Sequence, residues 1–563
     1  MRISLCGLIL ALSLHASTAV SQDHAQAPGA LQRADTAFRN GFAAMQAGNL
    51  EEARRDFAEA TRLAPALPEP HQALGALLAE MGKPEEAIAQ FEKALVLKPG
   101  DPTTEANLAL ASEALAIKLT AEKNFSAAET QVRKALQAQH ASGREDPPRQ
   151  STMHDELGSI LAQQKSWPDA VMQFREAIRL APNDNAQVHM HLGVALAQQE
   201  QYPEALQELE ESAQLAPENP LAHYELGRAL SAMGNDQDAV PHLEHALKLN
   251  PNLPDGQLAL AMALQRLGQQ EASIPLFQKT LEHDPANPQA LTNLGLALTQ
   301  TGKAKDAVPY LERALKATPN DPVVHENLGV AELQQSHFDE AIVQFQEAQK
   351  LDPNSPQLHY DLGLAYKLKD RMDDAIRELA KAASLDPTLP DPPYTLGILY
   401  MQLGKLEDAA MQLRAALALR PGNGDGWAIL GSVLKQMDKR EEAEVALRKA
   451  VELLPNQPGP HITLAAVLAE NGKHDEAAGE RKTAADLSRT AVNHQRAMLN
   501  TNAGNQALER GQITEAVDRY LDAIAADPQY AEAHAQLAVA YERQGRTQEA
   551  KNELDKAKKL QQN

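Results

Sequence analysis

One short pattern repeats every 34 residues along most of the chain. Its marker, Ala in all but one case, recurs nine times in succession, at Ala205, Ala239, Ser273, Ala307, Ala341, Ala375, Ala409, Ala443 and Ala477. A repeat of this length indicates an array of similar supersecondary units, each stacked on its neighbours. It argues against the three or four unrelated globular domains that a length of 563 residues would otherwise suggest.

Other residue types recur in phase with the marker. Around Ala239 they are the pair Leu226-Gly227, the bulky Leu243, the small Ala246 and Pro251. Offsets of four and seven residues lie on one face of an α-helix, so the pattern predicts an apolar helical stripe. Gly227 falls in mid-helix, which predicts close approach of a neighbouring helix. Each unit is therefore predicted to be a helix–turn–helix hairpin.

Glycine and proline mark the ends of the predicted helices. Gly234 stands between the two helices of its unit, where a left-handed turn is favoured. Gly48, Gly82, Gly268, Gly302, Gly404, Gly472 and Gly545 hold the same place in other units. Pro251 then ends the second helix.

These residues resemble the tetratricopeptide repeat (TPR) family, whose consensus places Leu-Gly, Ala, an aromatic residue, Ala and Pro at these spacings. The resemblance covers about 15 units, from near Asp35 to near Leu560. It implies an all-α fold, a right-handed α-solenoid (superhelix) of helix–turn–helix repeats with a period of 34.

Breaks in the period predict the domain organisation. The spacing between successive markers rises to 41 residues from Ala87 to Ala128, to 42 from Ala128 to Ala170 and to 39 from Ala477 to Ala516. The predicted parts are a signal peptide (1–21), a flexible linker (22–34), irregular N-terminal TPR units with insertions (35–150), a regular array (151–486), a helical spacer (487–500) and C-terminal units with a capping helix (501–563). Within the irregular part, residues 103–124 are predicted as one long helix and residues 140–150 as an exposed loop.

Residues 1–21 have the features of a secretory signal. Arg2 provides the charge, an apolar stretch follows from Ile3 to Leu14, and cleavage sites with small residues lie after Ala19 and after Ser21. The apolar stretch is shorter than the roughly 20 residues that span a bilayer. An uncleaved anchor or a buried first helix is the alternative. We expect an exported protein, periplasmic or secreted, with no membrane span after cleavage.

Composition excludes several classes of function. Asp and Glu outnumber Lys and Arg by 76 to 53, giving a net charge of −23, which argues against nucleic-acid binding. The single cysteine, Cys6, excludes a disulfide framework and a multi-thiolate metal site. No phosphate loop, nucleophile elbow or zinc-protease motif is present. We expect no enzyme activity, no catalytic residues, no cofactor and no bound metal.

Histidine is the one unusual residue of the repeats. Eight units carry it four residues before the Gly or Ala of the Leu-Gly or Leu-Ala pair, at His71, His154, His189, His223, His325, His359, His461 and His534. We interpret these imidazoles as half-buried packing groups. The alternative is a ladder that titrates near neutral pH and loosens the array when charged. His242 and His245, three residues apart, could share a metal, but without a third ligand a solvated pair is favoured.

The resemblance also implies a binding surface. In this family the first helix of each hairpin lines a concave groove. By position, the candidate peptide-binding residues are Tyr224, Arg228, Leu258, Met262, Thr292, Leu296, Val330, Tyr360, Leu364, Lys367, Tyr394, Ile398 and Met401. Together they are more apolar and less acidic than the chain average, as partner sites often are.

The predicted function is that of an exported, non-catalytic scaffold that binds partner proteins or extended peptides along this groove. The alternative is a periplasmic subunit of an envelope assembly or polysaccharide-export machine that works with a separate outer-membrane partner. The oligomeric state is not predicted by any of these patterns.

Overall fold

The structure is a computed structural model that describes residues 28–182, 185–253 and 255–561. Within these ranges every regular element is an α-helix. The chain divides into two compact units, with the boundary along the sequence between residues 297 and 298. Each unit is an array of antiparallel helices, so the predicted all-α solenoid is confirmed. The predicted signal peptide lies outside the described residues.

Among the described residues, the first unit contains fourteen complete helices. The unit boundary then lies within the next helix, α15. These helices are α1 (Pro28–Gln46), α2 (Leu50–Leu63), α3 (Pro68–Glu80), α4 (Pro84–Leu97), α5 (Pro102–Ala121), α6 (Phe125–Ala141), α7 (Pro147–Gln163), α8 (Trp167–Leu180), α9 (Ala186–Ala197), α10 (Tyr202–Leu215), α11 (Pro220–Ala232), α12 (Asp236–Leu249), α13 (Gly256–Arg266), α14 (Gln270–His283) and α15 (Pro288–Gln300).

The second unit continues the same alternation. Its helices are α16 (Ala304–Ala317), α17 (Pro322–Gln334), α18 (Phe338–Leu351), α19 (Pro356–Leu368), α20 (Met372–Leu385), α21 (Asp391–Gln402), α22 (Leu406–Leu419), α23 (Gly424–Gln436), α24 (Arg440–Leu453), α25 (Pro458–Glu470), α26 (His474–Glu509), α27 (Ile513–Ala526), α28 (Ala531–Arg543) and α29 (Thr547–Gln561). Up to α25, odd-numbered helices are the first helices of hairpins and even-numbered helices the second.

Glycine and proline set the ends of these helices as the sequence predicts. Gly234 has a φ of 78° in the turn between α11 and α12, and the seven other turn glycines also have positive φ. Proline opens many of the first helices, as at Pro356 of α19, because its missing N–H has no intrahelical acceptor at that position.

Mid-helix glycines allow the two helices of a hairpin to touch. A Cβ atom added at Gly363 of α19 would lie 2.7 Å from Cγ of Leu379 on α20. At Gly329 of α17 it would lie 2.6 Å from the ring of Phe345 on α18. The close approach predicted for these glycines is therefore present, and the bulky residue opposite each glycine is buried in the core.

The structure corrects two predicted loop segments. Helix α1 begins at Pro28, so residues 28–34 of the expected linker are helical. The expected loop at 140–150 is shorter, because α6 continues to Ala141 and α7 begins at Pro147. Proline is tolerated in the first turn of a helix, and the side chain of Asp146 caps α7 by accepting from the backbone of Arg149.

The two other irregular segments are helical. Residues 102–121 form the single helix α5, which includes most of the segment expected to be one long helix. Residues 487–500 lie inside α26, which has 36 residues. Its first part packs against α25 and its last part against α27 and α28, so one helix belongs to two successive hairpins.

First helices lie on the inner side of each unit. In the first unit α9 contacts α11 and α11 contacts α13, and in the second unit α21 contacts α23 and α23 contacts α25. Successive second helices lie farther apart in the described part of the chain. The exposed surface of the first helices is called the inner face below.

Candidate functional site

All thirteen predicted groove residues lie on first helices. Tyr224 and Arg228 are on α11, Leu258 and Met262 on α13, and Thr292 and Leu296 on α15. The remaining seven are on three first helices of the second unit, namely Val330 on α17, Tyr360, Leu364 and Lys367 on α19, and Tyr394, Ile398 and Met401 on α21. The unit boundary lies within α15, so each unit has an inner face of its own.

The inner face of the second unit presents half-buried apolar and aromatic side chains. Val330 and Tyr360 pack against the core cluster around Leu362 and Leu396 with one side and face solvent with the other. Tyr394 and Met401 pack in the same way against the neighbouring cluster. A side chain held in this way loses little conformational freedom when a partner covers it, which favours binding.

In the first unit, two of the predicted groove residues offer little surface. Tyr224 and Leu258 are only 9% and 8% exposed. Arg228 is exposed, but it donates to Glu225 at 2.9 Å and its guanidinium lies 5.5 Å from the Tyr224 ring centroid. Met262, by contrast, is half-buried. Of the four predicted groove residues on α11 and α13, Met262 is therefore the one that presents an accessible apolar side chain.

Two carboxyl groups on the inner face of the second unit have no cationic partner among the described residues. Asp361 on α19 is 8% exposed and accepts one hydrogen bond, from Gln357 Nε2 at 3.0 Å. Its burial, reinforced by the nearby Glu326 carboxylate, raises its pKa to about 7. Burial also raises the pKa of Glu326 on α17, and Asp352 adds to this effect.

An unpartnered amide lies on the same helix as Glu326. Asn327 is 8% exposed, and its buried Nδ2 has no hydrogen-bond partner among the described residues. Asn327, Asp361 and Thr395 each directly precede a Leu-Gly pair, so they hold equivalent positions on three successive first helices. The groove prediction missed this polar row, although its phase in the repeat is visible in the sequence.

The aromatic residues beside this row are tied to the scaffold. Burial raises the pKa of the Tyr360 hydroxyl, although a hydrogen bond with Thr395 on the next first helix lowers it. Asp391 at the start of α21 forms an ion pair with Arg420 at 2.9 Å. These contacts link Tyr360 to the next first helix and the start of α21 to the residue that follows α22.

The eight repeated histidines connect the helices within and between hairpins. In seven of them Nδ1 lies 2.5–2.8 Å from an oxygen of the residue 19 positions later on the second helix. These seven partners are Gln90, Gln173, Glu208, Gln344, Glu378, Glu480 and Glu553. In four of these histidines Nε2 also lies 3.1–3.3 Å from the carbonyl of the proline in the preceding turn.

These contacts support the interpretation of the histidines as packing groups. Trp427, which replaces histidine in its unit, donates from Nε1 to the carbonyl of Pro421 at 2.9 Å. Four of the seven partners are carboxylates, beside which a positive charge on the imidazole is attracted rather than repelled. In the four units with a carboxylate partner, the arrangement therefore argues against the hypothesis that a charged histidine loosens the array.

None of the described helices is both long enough and apolar enough to cross a lipid bilayer.

Comparison with protein families identifies the repeat. Profiles described as tetratricopeptide repeat or TPR repeat match residues 68–101, 114–185, 184–252, 258–322, 331–370, 356–389, 394–458, 504–545 and 531–563. Together they cover most of the chain. It belongs to the tetratricopeptide repeat family. The TPR fold is in general a non-catalytic scaffold for protein and peptide partners.

Solved structures of other TPR proteins are similar to parts of this one. MamA is 26% identical over 29% of this chain and 96% of its own, with a TM-score of 0.29. YrrB, described as a TPR protein with an unusual peptide-binding site, is 22% identical over 35% of this chain and 97% of its own, with a TM-score of 0.30. Yeast Tom70 is 15% identical over 74% of this chain and 93% of its own, with a TM-score of 0.29. No curated protein matches the sequence.

Proposed function

We propose that this TPR protein is a non-catalytic scaffold that binds an extended segment of a partner protein on the inner face of its second unit. The observation that carries the proposal is the row of half-buried Val330, Tyr360, Leu364, Tyr394 and Ile398 on three successive first helices. Covering a Leu or Ile side chain fully contributes about 1.5–3 kcal/mol. Several partly covered side chains together therefore offset part of the free-energy cost of association.

The polar end of the same surface supports a partner with a basic side chain. Among the described residues, Asp361 and Glu326 lack a cation and the Nδ2 amide of Asn327 lacks an acceptor. A Lys or Arg of the partner would compensate the two carboxyl groups, while a backbone carbonyl of the partner would accept from the amide. The proposed ligand is an extended peptide with apolar residues beside at least one basic residue.

The test is selection of peptides from a displayed random library on the purified chain. We expect enrichment of sequences that combine Lys or Arg with large apolar residues. The double variant Leu364→Glu/Ile398→Glu should weaken binding of the selected peptides by about a hundredfold, since two charges would be buried against apolar groups. Helical content should stay the same because both side chains are half-buried.

The matched control places the same charges on second helices. Val343 on α18 and Met411 on α22 are 51% and 57% exposed and lie outside the inner face. The variant Val343→Glu/Met411→Glu should bind the selected peptides as the unmodified chain does. Equal binding by both double variants would refute the assignment of the inner face.

We propose further that the protein acts after export, in the periplasm or outside the cell. The support is the sequence of residues 1–21, with its charged start, apolar stretch and small residues. Mass spectrometry of the protein from a cell-envelope fraction should find a chain that starts at Val20 or Gln22. A chain that retains residues 1–21 in the cytoplasmic fraction would contradict export. Co-purification with an outer-membrane protein would favour an envelope assembly.

A further inference from the structure

One of the eight histidines has a different partner from the other seven. In those seven hairpins Nδ1 meets a Gln or Glu oxygen at 2.5–2.8 Å. In the hairpin of α11 and α12, His223 Nδ1 instead faces the Nδ1 atom of His242, 3.4 Å away. The repeat therefore contains a nitrogen–nitrogen pair where its other copies contain a nitrogen–oxygen hydrogen bond.

The backbone fixes the tautomer of His223. Its Nε2 lies 3.0 Å from the carbonyl oxygen of Pro217, which can only accept a hydrogen bond. In the neutral ring Nε2 must then carry the proton, and Nδ1 has a free lone pair directed at His242. Metal-binding histidines are commonly oriented in this way, with the second ring nitrogen donating to a backbone carbonyl.

The separation of the two nitrogens fits a shared metal ion. Zinc binds imidazole nitrogens at about 2.0–2.1 Å, so two such ligands of a tetrahedral ion lie about 3.3–3.4 Å apart. A direct N–H···N hydrogen bond would bring the two atoms closer than 3.4 Å. The distance of 3.4 Å is long for a direct hydrogen bond and lies within the range expected for two ligands of one tetrahedral ion.

A third imidazole and two carboxylates surround the pair. The ring centroid of His245, one turn along α12, lies 4.5 Å from that of His223. Glu210 on α10 and Asp238 on α12 lie close enough to interact electrostatically with His242. All three histidines are half-exposed, so an ion from solvent can reach them. The negative charge nearby favours a divalent cation.

We propose that His223, His242 and His245 bind a divalent transition-metal ion of the zinc type. His223 and His242 supply two nitrogens at their present positions. His245 becomes the third ligand by rotating its side chain, because the described residues contain no three ligand groups already arranged around one point. Water completes the tetrahedron, as in other three-histidine sites. The ion would join α11 to α12 through the pair that replaces the usual Gln or Glu contact.

The test is calorimetric titration of the tag-free full-length chain with zinc chloride after treatment with a chelator, together with thermal unfolding in the presence and absence of zinc. We expect one ion to bind per chain and the unfolding temperature to rise when zinc is present. The spectrum of the Co²⁺-loaded chain should show the strong visible bands of tetrahedral nitrogen coordination.

The matched variant is His242→Gln, which recreates the His–Gln contact found between His325 and Gln344. Without metal it should unfold at the same temperature as the unmodified chain. Its zinc affinity should fall by about tenfold or more, and His245→Gln should weaken binding by a smaller factor. If the unmodified chain binds no zinc, or if His242→Gln binds it with unchanged affinity and stoichiometry, the proposal is wrong.

Discussion

The Nδ1 atom of His359 lies 2.7 Å from a carboxylate oxygen of Glu378. Nε2 of the same ring lies 3.2 Å from the carbonyl oxygen of Pro353, so one side chain connects α19, α20 and the preceding turn. His359 is 6% exposed. Without the ring, the carbonyl of Pro353 would lose this contact, while Glu378 would still accept from Gln349 Nε2 at 3.0 Å.

We therefore expect His359→Ala to destabilise the second unit by about 2 kcal/mol, since it removes both hydrogen bonds and creates a cavity. His359→Gln should cost less than half as much. Gln257 holds the equivalent position in another repeat and donates to the carbonyl of Pro251 at 2.5 Å. Chemical denaturation at pH 7 measures both changes. Equal losses for the two variants would show that packing, and not hydrogen bonding, is the main contribution of the ring.

The buried carboxyl of Asp361 predicts a pH dependence of stability. Burial raises its pKa from 3.8 to about 7. Between about pH 4 and pH 7 the folded chain therefore keeps a proton that the unfolded chain has lost, and stability falls as the pH rises. Above pH 7 the folded state carries the full free-energy cost of the buried Asp361 charge. It amounts to roughly 4 kcal/mol at most.

Asp361→Asn should consequently stabilise the second unit at pH 8 by about 2–4 kcal/mol and by less than about 1 kcal/mol at pH 4. Denaturant midpoints at the two pH values test this. The exposed Asp373 provides the control, since Asp373→Asn removes the same charge from solvent. A stabilisation of Asp361→Asn that is the same at both pH values would contradict the account.

Glu444 shows the opposite behaviour. Burial alone would raise its pKa, but hydrogen bonds from Lys473, Asn471 and Arg448, at 2.6–2.8 Å, outweigh burial and lower the pKa to about 2. The ionised Glu444 carboxylate therefore stabilises the fold above about pH 4.5, and this stabilisation is lost as the pH falls towards 2. These contacts tie α24 to the turn between α25 and α26.

Glu444→Gln should therefore cost about 2 kcal/mol at pH 7 and much less at pH 3. Acid titration of the circular dichroism signal and denaturant unfolding at both pH values measure the difference. Glu441→Gln, on the exposed side of the same helix, is expected to change neither the acid titration nor the free energy of unfolding. A loss that does not depend on pH would refute the assigned role of the charge.

Turns without glycine offer a stabilising substitution. Lys165 has a φ of 61° between α7 and α8, in a place where most repeats have glycine. A side chain with a Cβ atom is strained in this conformation, so Lys165→Gly should stabilise the first unit by about 1 kcal/mol. The reverse change, Gly234→Lys, should destabilise it by a similar amount. Thermal unfolding of both variants distinguishes this effect from a general effect of charge.

Much of the fold could be predicted because the residues that set helix ends and helix contacts recur within each repeat. Gly234 and Pro251 mark the ends of helices, and Gly227 marks the contact with Leu243. Where the period broke, prediction was weaker. Pro147 fits an exposed loop by sequence, although a proline at this position begins a helix just as well.

The site was predicted only in part, because burial depends on neighbours in three dimensions. Position in the repeat placed Tyr360 and Leu364 on the inner face, but it could not show that Leu258 is covered or that Asp361 lacks a cation. The pairing of His223 with His242 was visible in principle. A spacing of 19 residues joins every repeated histidine to its partner, and only this unit has histidine at both positions.

The 36-residue helix α26 has a consequence for cooperativity. Between residues 489 and 496 its side chains are exposed on every side, and Val492 is 64% exposed. The apolar cluster that ends at Ala477 and the small cluster that begins at Ala497 are therefore joined by a solvated stretch, in which His494 pairs with Asp527 of the following hairpin. The last two hairpins can melt, or be removed by a protease that cuts this stretch, while the preceding repeats stay folded.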